Sequence, residues 1–258
     1  MNKEIFIKEL KKMNLTLTAE QLNQFEKYYE ILVIENEKYN LTAITKKEDV
    51  YLKHFYDSLT LTKIIDLNNQ SLCDIGTGAG FPGIVLKIVY PTLKVTLLDA
   101  TEKKCKFIQK VIDNLRLKDI EVINERAEIF SKVNREKYDI VTSRAVAPLK
   151  HLLEYSVPLV KINGYYIAMK GEITKEIENI DIYYKKLDII KDKILTFQLP
   201  FEKSTRTLIR YQKLKETNQK YPRKYKEIKN KKLLYDTSRI KRIEGYLWTW
   251  IMLFKILI

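Results

Sequence analysis

A glycine-rich loop is the segment of this sequence whose chemistry is clearest. Residues 74–83 read Asp-Ile-Gly-Thr-Gly-Ala-Gly-Phe-Pro-Gly and hold four of the seven glycines in the chain. Glycine lets a backbone turn tightly and approach a ligand closely. The loop fits two templates: Gly78, Gly80 and Gly83 match the dinucleotide fingerprint, and Asp74, Gly76, Gly78 and Gly80 match the S-adenosylmethionine loop. A tight turn without a ligand is the structural alternative.

The charge of Asp74 distinguishes between the two ligands. A dinucleotide would place a doubly negative pyrophosphate at this turn, whereas S-adenosylmethionine carries a sulfonium and an ammonium group. A carboxylate repels the first ligand and attracts the second. The loop is therefore predicted to bind S-adenosylmethionine, and an oxidoreductase that uses a nicotinamide cofactor is the competing hypothesis.

Acidic residues after the next two predicted strands could hold the rest of this cofactor. Asp99 comes 19 residues after Gly80, where an acid can accept hydrogen bonds from both hydroxyls of an adenosine ribose. A simple helix cap is the structural alternative for Asp99. Ala127 and Glu128 follow the third strand, from which a loop can hold the adenine ring.

An acceptor pocket is predicted beside the cofactor. Arg144 ends the fourth strand, at the edge of the sheet where open α/β folds bind ligands, and could grip a phosphate or orient the acceptor base. Its structural alternative is a salt bridge at the rim of the domain. His54 and Asp57, one helical turn apart, could line the pocket with Asn40 from the preceding loop. A buried histidine satisfied by an aspartate is the alternative there.

The elements that must hold these residues follow from the hydrophobic pattern. Steps of three and four residues predict helices over 18–38 and 47–64, and Thr18 with Gln21 predicts a capping box. After residue 70, short apolar runs alternate with helical patterns, which predicts an α/β fold with repeated βαβ units and a Rossmann-like, mostly parallel sheet under an N-terminal helical cap. The predicted strands are 72–75, 95–98, 120–123, 138–142 and 165–169, with a final antiparallel pair near 188–197 and 206–211. The predicted helices between them are 82–89, 102–115, 127–132 and 148–157.

The formal charge of +14 is concentrated near the C-terminus. Residues 210–232 contain ten basic and two acidic residues, together with three tyrosines. Such a segment pairs charge that attracts phosphate with rings that stack on bases, which indicates RNA binding. The candidate RNA contacts are Arg210, Lys220, Arg223 and Lys224, with Lys170 at the rim after the fifth-strand run. A solvated, lysine-rich surface is the alternative.

Cysteine content and the chain ends indicate a cytoplasmic protein. Cys73 and Cys105 are too few and too far apart for a metal cage or a disulfide framework, so no metal is predicted. The first twenty residues lack the apolar core of a signal peptide. The apolar run over 245–258 is interrupted by Lys255 and is shorter than the roughly 20 residues of a spanning helix, so no membrane partner is expected.

The chain resembles the bacterial GidB or RsmG family, the small-subunit ribosomal RNA guanine-N(7) methyltransferases, over residues 15–234. The matching stretches are Tyr39-Asn-Leu-Thr-Ala43, His54-Phe-Tyr-Asp-Ser-Leu59, the glycine loop with its Phe-Pro-Gly end, Leu97-Leu-Asp99, Arg126-Ala-Glu128, Ser143-Arg-Ala145 and Tyr221-Pro-Arg-Lys224. The resemblance implies a class I methyltransferase fold with seven strands. It implies cofactor contacts at Gly76, Phe81, Ala127, Glu128 and Arg144.

The same resemblance implies an activity and a partner. S-adenosylmethionine would donate a methyl group to N(7) of guanine 527 in 16S ribosomal RNA, within the small subunit or an assembly intermediate, and S-adenosylhomocysteine would be the product. N(7) carries a lone pair and no proton, so this acceptor needs no general base. Another RNA or protein methyltransferase and a non-catalytic RNA-binding assembly factor are the alternatives, and a monomer is expected.

Four parts of the chain are predicted from these patterns together. They are the helical cap over 1–69, the methyltransferase core over 70–212, the basic segment over 213–234 and a tail over 235–258. The tail extends beyond the usual end of the family.

Overall fold

A seven-stranded sheet organises the protein in a computed structural model, which describes residues 1–173, 176 and 180–229. The strands are β1 Ser71–Ile75, β2 Lys94–Asp99, β3 Ile120–Asn124, β4 Tyr138–Arg144, β5 Val160–Lys170, β6 Ile189–Gln198 and β7 Thr205–Lys213. Their order is β3-β2-β1-β4-β5-β7-β6. The first five strands run parallel, and β7 runs antiparallel to both of its neighbours. The strand order reverses between β1 and β4, where open α/β sheets bind ligands.

Helices cover both faces of the sheet. They are α5 Gly83–Val89, α6 Glu102–Leu115, α7 Ala127–Val133, α8 Leu149–Ser156 and α9 Asp181–Leu187. Successive strand residues point to opposite faces, so Leu72 belongs to the core under α5 and α6, and Cys73 to the core under α7, α8 and α9. Cys73 and Cys105 are free thiols, and burial raises the pKa of both.

The N-terminal cap consists of α1 Lys3–Lys11, α2 Ala19–Tyr39 and a helical segment over 47–63. The Thr18 and Gln21 capping box is present at the start of α2. The side-chain amide of Gln21 also donates to the carbonyls of Ile88 and Val89, at 2.9 and 3.1 Å, where α5 ends. One glutamine therefore caps two helix ends and ties the cap to the sheet domain.

The helical segment over 47–63 is less regular than its sequence pattern predicts. It contains α3 Lys47–Val50, a π-helical turn Tyr51–Tyr56, α4 Asp57–Leu59 and a 3-10 turn Thr60–Lys63. A π-helical turn widens the helix locally and is frequent at functional sites. Here one candidate acceptor-pocket residue, His54, lies within the π-helical turn, and the other, Asp57, directly follows it.

The predicted α/β class, strand sequence and final antiparallel pair are confirmed. Most boundaries differ by one or two residues, but β5 begins earlier than predicted, at Val160. Three α-helices, α1, α9 and α10 Tyr225–Lys229, were not predicted. They have nine, seven and five residues, which is too short for an amphipathic period to be recognised.

The chain divides into two compact units, Met1–Pro222 and Arg223–Ile258. The first contains cap and sheet together, so the predicted boundary at residue 70 falls inside it. The described part of the second unit contains α10 Tyr225–Lys229. The predicted tail over 235–258 lies outside the described residues. Within the described part, no helix has the length and apolar character needed to cross a membrane.

Candidate functional site

The glycine loop joins β1 to α5 and adopts a backbone that only glycine tolerates well. The φ angles of Gly76, Gly78 and Gly80 lie between +64° and +93°. At Gly76 a side chain is also excluded by packing, because a Cβ there would lie 2.7 Å from both methyl carbons of Val146. Val146, two residues after the end of β4, therefore packs directly onto the backbone of the loop.

Asp74 is a fully buried carboxylate at the start of the loop. Its Oδ2 accepts hydrogen bonds from the Thr77 hydroxyl at 2.7 Å and the Gly83 amide at 2.8 Å. Its Oδ1 has no hydrogen-bond partner among the residues that the structure describes. Burial raises the pKa of Asp74 to about 6 from an ordinary 3.8. An acceptor buried without a partner favours a ligand that brings a positive charge.

Asp99 ends β2 and faces the same loop. Its Oδ2 accepts the Gly78 amide at 3.0 Å, and its Oδ1 accepts the Thr101 amide at 2.9 Å just before α6. The bond from Thr101 shows that Asp99 also acts in part as a helix cap, which was the structural alternative for this residue. An ionised carboxylate accepts about four hydrogen bonds, so Asp99 retains capacity for the two hydroxyls of a ribose.

Ala127 and Glu128 form the first turn of α7, on the same side of the sheet edge as Asp99. Glu128 is buried, and its Oε1 accepts a hydrogen bond from Nε of Arg126 at 2.6 Å. The side chain of Asn124, which ends β3, donates to the carbonyl of Asp99 at 3.0 Å. This bond holds the ends of β2 and β3 together, so the predicted ribose and adenine contacts belong to one connected surface.

An aromatic stack connects the loop to the cap. The Phe81 ring, near the end of the loop, stacks on the His54 ring with centroids 4.4 Å apart and planes at 14°. The Tyr28 ring stacks on Phe81 at 5.4 Å, and its hydroxyl donates to the carbonyl of Ala79. Loop and cap cannot move independently here, because each aromatic contact joins one to the other.

A buried ion-pair network joins the cap to the edge of the sheet. Oδ2 of Asp57 lies 3.2 Å from Nη1 of Arg144, and its Oδ1 lies 3.0 Å from Nε of Arg206. Arg144 also donates to the carbonyl of Lys53 at 3.2 Å, and its guanidinium carbon lies 5.4 Å from the centroid of the Phe81 ring. The salt-bridge alternative for Arg144 is therefore present, but the same side chain also borders a cavity.

His54 is a neutral imidazole at physiological pH. Burial, together with the nearby positive charge of Arg144, lowers its pKa from 6.5 to about 3. Its Nδ1 lies 3.5 Å from Nη2 of Arg144, which can only donate, and its Nε2 lies 3.0 Å from the Thr42 hydroxyl. This environment favours the tautomer with its proton on Nε2. A histidine with so low a pKa is a poor proton acceptor.

A cavity of about 570 Å³ opens between the cap and the ends of β4 and β5. Its wall includes side chains from both sides, among them Lys53, His54, Asp57, Arg144, Met169 and Arg206. The volume falls in the range of small-ligand sites. His54, Asp57 and Arg144 were predicted to surround an acceptor, and the structure brings these three together.

Two other predicted site residues are placed differently. Asn40 is exposed and ends α2 in a left-handed conformation, with φ 49°, and it does not line the cavity. Lys170 does line the cavity, but its ammonium lies 2.8 Å from Glu176 and 2.9 Å from the carbonyl of Ala147. Both proposed roles remain predictions.

The predicted RNA contacts Arg210 and Lys220 belong to the first compact unit. Arg210 is in the middle of β7 and pairs with Asp192, 2.5 Å away, so it is not part of a tail. The carbonyl of Tyr221 accepts a hydrogen bond from Arg135 at 2.8 Å, shortly before β4 begins. Its neighbour Lys220 thus lies at the sheet edge opposite the glycine loop. Arg223 and Lys224 belong to the second unit.

Sequence reasoning missed Arg206, Lys53 and Tyr28 as site residues. Arg206 contacts Asp57 across 149 positions of the chain, and no local pattern reveals such a contact. Lys53 offered a signal, because it precedes His54 in a stretch already selected. Tyr28 carried only the helical periodicity of α2.

Comparisons with known proteins identify relatives along most of the chain. The profile of the GidB family, described as rRNA small subunit methyltransferase G, matches residues 21–209. A protein of Bacillus cytotoxicus named Ribosomal RNA small subunit methyltransferase G is 48% identical over 228 residues, which cover 87% of this chain and 95% of that protein. The protein of the same name from Bacillus cereus is 49% identical with the same coverage.

Solved structures share the fold at low sequence identity. A SAM-dependent methyltransferase from Aquifex aeolicus has a TM-score of 0.50 and 16% identity, covering 67% of this chain and 96% of that one. The YcgJ protein of Bacillus subtilis has a TM-score of 0.50 and 12% identity, covering 63% and 100%. These similarities agree with the Rossmann-like sheet described above.

Proposed function

Because the chain belongs to the GidB family of rRNA small subunit methyltransferases, we propose that it transfers a methyl group from S-adenosylmethionine to N(7) of guanine 527 in 16S ribosomal RNA. The observation that carries this proposal is the stack of Phe81 on His54 at 4.4 Å. It joins the glycine loop to the wall of the cavity. A donor held by the loop and a base held in the cavity are then neighbours, as methyl transfer requires.

The residues around the loop fit the methyl donor. The unpartnered Oδ1 of buried Asp74 suits the ammonium group, and Asp99 has spare acceptor capacity for the ribose hydroxyls. Glu128 and Ala127 border the expected adenine position. When bound, the cofactor supplies a methyl group already activated by sulfonium. The protein's own contribution is to hold the two reactants in line and to exclude water.

The cavity residues suit a guanine acceptor. Guanidinium groups donate readily to O6 of guanine, and Arg144 and Arg206 both line the cavity. A hydrogen bond to O6 orients the base while leaving the N(7) lone pair unprotonated and available. His54, with a pKa of about 3, is not required as a base, because N(7) has no proton to lose. Its stack on Phe81 instead fixes the wall of the cavity.

The position of the N(7) atom on guanine indicates what kind of RNA the protein acts on. N(7) lies on the major-groove edge, which is deep and narrow in RNA helices, so the target must be an accessible or flexible loop. A structured small subunit or an assembly intermediate in the cytoplasm is the expected substrate. We expect the protein to act as a monomer. Light scattering of the purified protein tests that state.

Methyl transfer from labelled S-adenosylmethionine to small ribosomal subunits that lack the modification tests the proposal directly. We expect label on one guanine, recovered as N(7)-methylguanosine at position 527, and none on subunits that already carry it. Label on another nucleotide or on a protein would show that guanine 527 is not the substrate. Cofactor binding without any turnover would instead indicate a non-catalytic assembly factor.

The affinity for S-adenosylhomocysteine is expected to fall about tenfold between pH 7 and pH 5. Asp74 has a pKa of about 6 in the free protein, and a bound ammonium group stabilises its charged form. Binding at low pH must therefore release a proton, and each unit below the pKa weakens binding up to tenfold. Isothermal titration calorimetry at the two pH values measures the effect.

Asp74→Asn is the matched control, since it keeps the shape and removes the titration. At pH 7 this variant should bind S-adenosylhomocysteine more weakly than the wild type does. Its affinity at pH 5 should equal its own affinity at pH 7. In the ligand-free protein the sign is opposite. The folded pKa is raised, so the contribution of Asp74 to folding stability is full below pH 4 and is lost as pH rises through about 6. A tenfold pH effect that persists in Asp74→Asn would contradict the assignment.

A further inference from the structure

The turn between β6 and β7, residues 199–204, is a compact structure at the active-site edge of the sheet. The amide of Leu199 donates to the carbonyl of Ser204 at 2.9 Å, and the amide of Lys203 donates to the carbonyl of Leu199 at 3.0 Å. Phe201 and Lys203 adopt left-handed backbones, with φ of 68° and 57°. These bonds and angles fix the direction in which the turn presents its side chains.

The turn presents a large aromatic ring to solvent. Phe201 is 64% exposed, although a phenylalanine ring is stabilised strongly by burial. Its neighbour Lys203 is also exposed. The combination of an exposed ring and an adjacent ammonium group is suited to single-stranded RNA, whose bases stack on rings and whose phosphates attract lysine.

The turn is anchored to the candidate acceptor cavity by residues that follow Phe201 in the chain. Glu202 lines the cavity, and its Oε2 lies 3.5 Å from Nζ of Lys53 on the cap. Arg206 also lines the cavity, and its Nη1 donates to the Ser204 hydroxyl at 3.1 Å while its Nε holds Asp57. Phe201 is therefore held at the mouth of the cavity through its chain neighbours.

We propose that the β6–β7 turn is an RNA-binding surface, in which Phe201 stacks on an unpaired base beside the target guanine and Lys203 contacts phosphate. This inference rests on the proposed function. A guanine that enters the cavity leaves its own stack, and stacking of a neighbouring base on Phe201 compensates part of that loss. The charged residues that line the cavity, counted together with exposed Lys203, are five cations and three carboxylates: Lys53, Arg144, Lys170, Lys203 and Arg206 against Asp57, Glu176 and Glu202. This excess of positive charge favours RNA over an acidic or neutral protein surface.

The position of Lys220 supports the need for such a surface. Lys220 lies near the edge where the parallel strands begin, and the cavity lies where they end. Seven residues of β4 separate the two edges, which is about 20 Å at 3.3 Å per residue. Phosphate contacts at Lys220 can therefore add affinity, but they cannot hold the nucleotides that flank the target base.

Phe201→Ala tests the proposal, with Phe201→Trp and Ile34→Ala as matched variants. We expect Phe201→Ala to raise the dissociation constant for unmodified small subunits roughly 5- to 100-fold, while S-adenosylhomocysteine affinity and the unfolding midpoint stay unchanged. Phe201→Trp should bind at least as tightly as the wild type. Ile34 is 57% exposed on α2, and its alanine variant should bind within twofold of the wild type.

The outcomes separate this inference from the proposed function. If the wild type methylates guanine 527 and Phe201→Ala binds small subunits as tightly as the wild type does, the proposed RNA-binding surface is wrong and the proposed function stands. Weakened binding by Phe201→Ala in a protein that methylates another nucleotide would keep the surface and overturn the proposed target. A wild type that binds no RNA would overturn both.

Discussion

Arg144→Ala is expected to lower kcat/KM for methyl transfer roughly 30- to 1,000-fold, because it removes one of the two cations that hold buried Asp57. Losing one partner of a desolvated ion pair costs about 2–4 kcal/mol. The variant also loses the donor at 3.2 Å to the carbonyl of Lys53 and the cation beside the Phe81 ring. Both losses loosen the wall that faces the acceptor base. Single-turnover and steady-state transfer to small subunits measure the effect.

Two further variants locate the role of Arg144. Arg144→Lys keeps the positive charge but loses the planar guanidinium group, whose several N–H donors can bind Asp57 and a ligand at the same time. We therefore expect partial activity from this variant. Arg206→Ala removes the other cation on Asp57 and leaves Arg144 in place. A rise in the dissociation constant for S-adenosylhomocysteine in Arg144→Ala alone would assign it to the cofactor. A change confined to the RNA parameters would assign it to the acceptor. Turnover equal to the wild type would remove it from both roles.

The parts of the site that lie close together in sequence were predictable. The glycine loop and Asp99 follow successive strands of a parallel sheet, and the carboxyl ends of such strands meet at one edge. The structure places Asp99 within hydrogen-bond distance of the Gly78 amide, 21 positions away. Strand order and spacing were enough for this part, because the βαβ repeat itself determines which loops become neighbours.

The cavity wall was only partly predictable, because its contacts depend on packing between the cap and the sheet. The pairing of Arg206 with Asp57 depends on the antiparallel β7 and on the π-helical turn before Asp57. A hydrophobic period reports which face of a helix is buried, but it does not report a local change in backbone hydrogen bonding. The sequence pattern therefore placed His54 and Asp57 on one helix and could not identify their partners.

The location of the positive charge was the least predictable feature. A count over residues 210–232 shows ten basic residues, but Arg210 pairs with Asp192 inside the sheet and Lys213 is buried beside Glu136. Burial lowers the pKa of Lys213. These two cations stabilise the middle and the end of β7 and are not available as phosphate contacts. Net charge predicts a partner class, whereas the pairing of each cation depends on the tertiary fold.

Gly80→Ala is expected to lower the free energy of unfolding by about 2–5 kcal/mol and to abolish cofactor binding. With φ at +93°, an alanine costs about 1–2 kcal/mol in backbone strain. Its Cβ would also lie 2.5 Å from Cδ1 of Ile84 and 2.6 Å from the Tyr28 hydroxyl, and such overpacking costs about 1–3 kcal/mol. Urea unfolding and calorimetry with S-adenosylhomocysteine measure the two effects.

Gly78→Ala is the matched control, because it shares the backbone problem without the collision. Its φ is +64°, and the nearest atom to a Cβ there is the carbonyl oxygen of Gly76 at 4.0 Å. We expect a loss of only about 1–2 kcal/mol from strain. The difference between the two variants reports the collisions with Ile84 and with Tyr28 of the cap together. Adding Tyr28→Phe to Gly80→Ala should then restore part of the stability, since it removes the hydroxyl that the new methyl group meets. Equal losses in both single variants would show that the cap does not hold the loop, and Phe81 would then lose its role as the link between the two reactants.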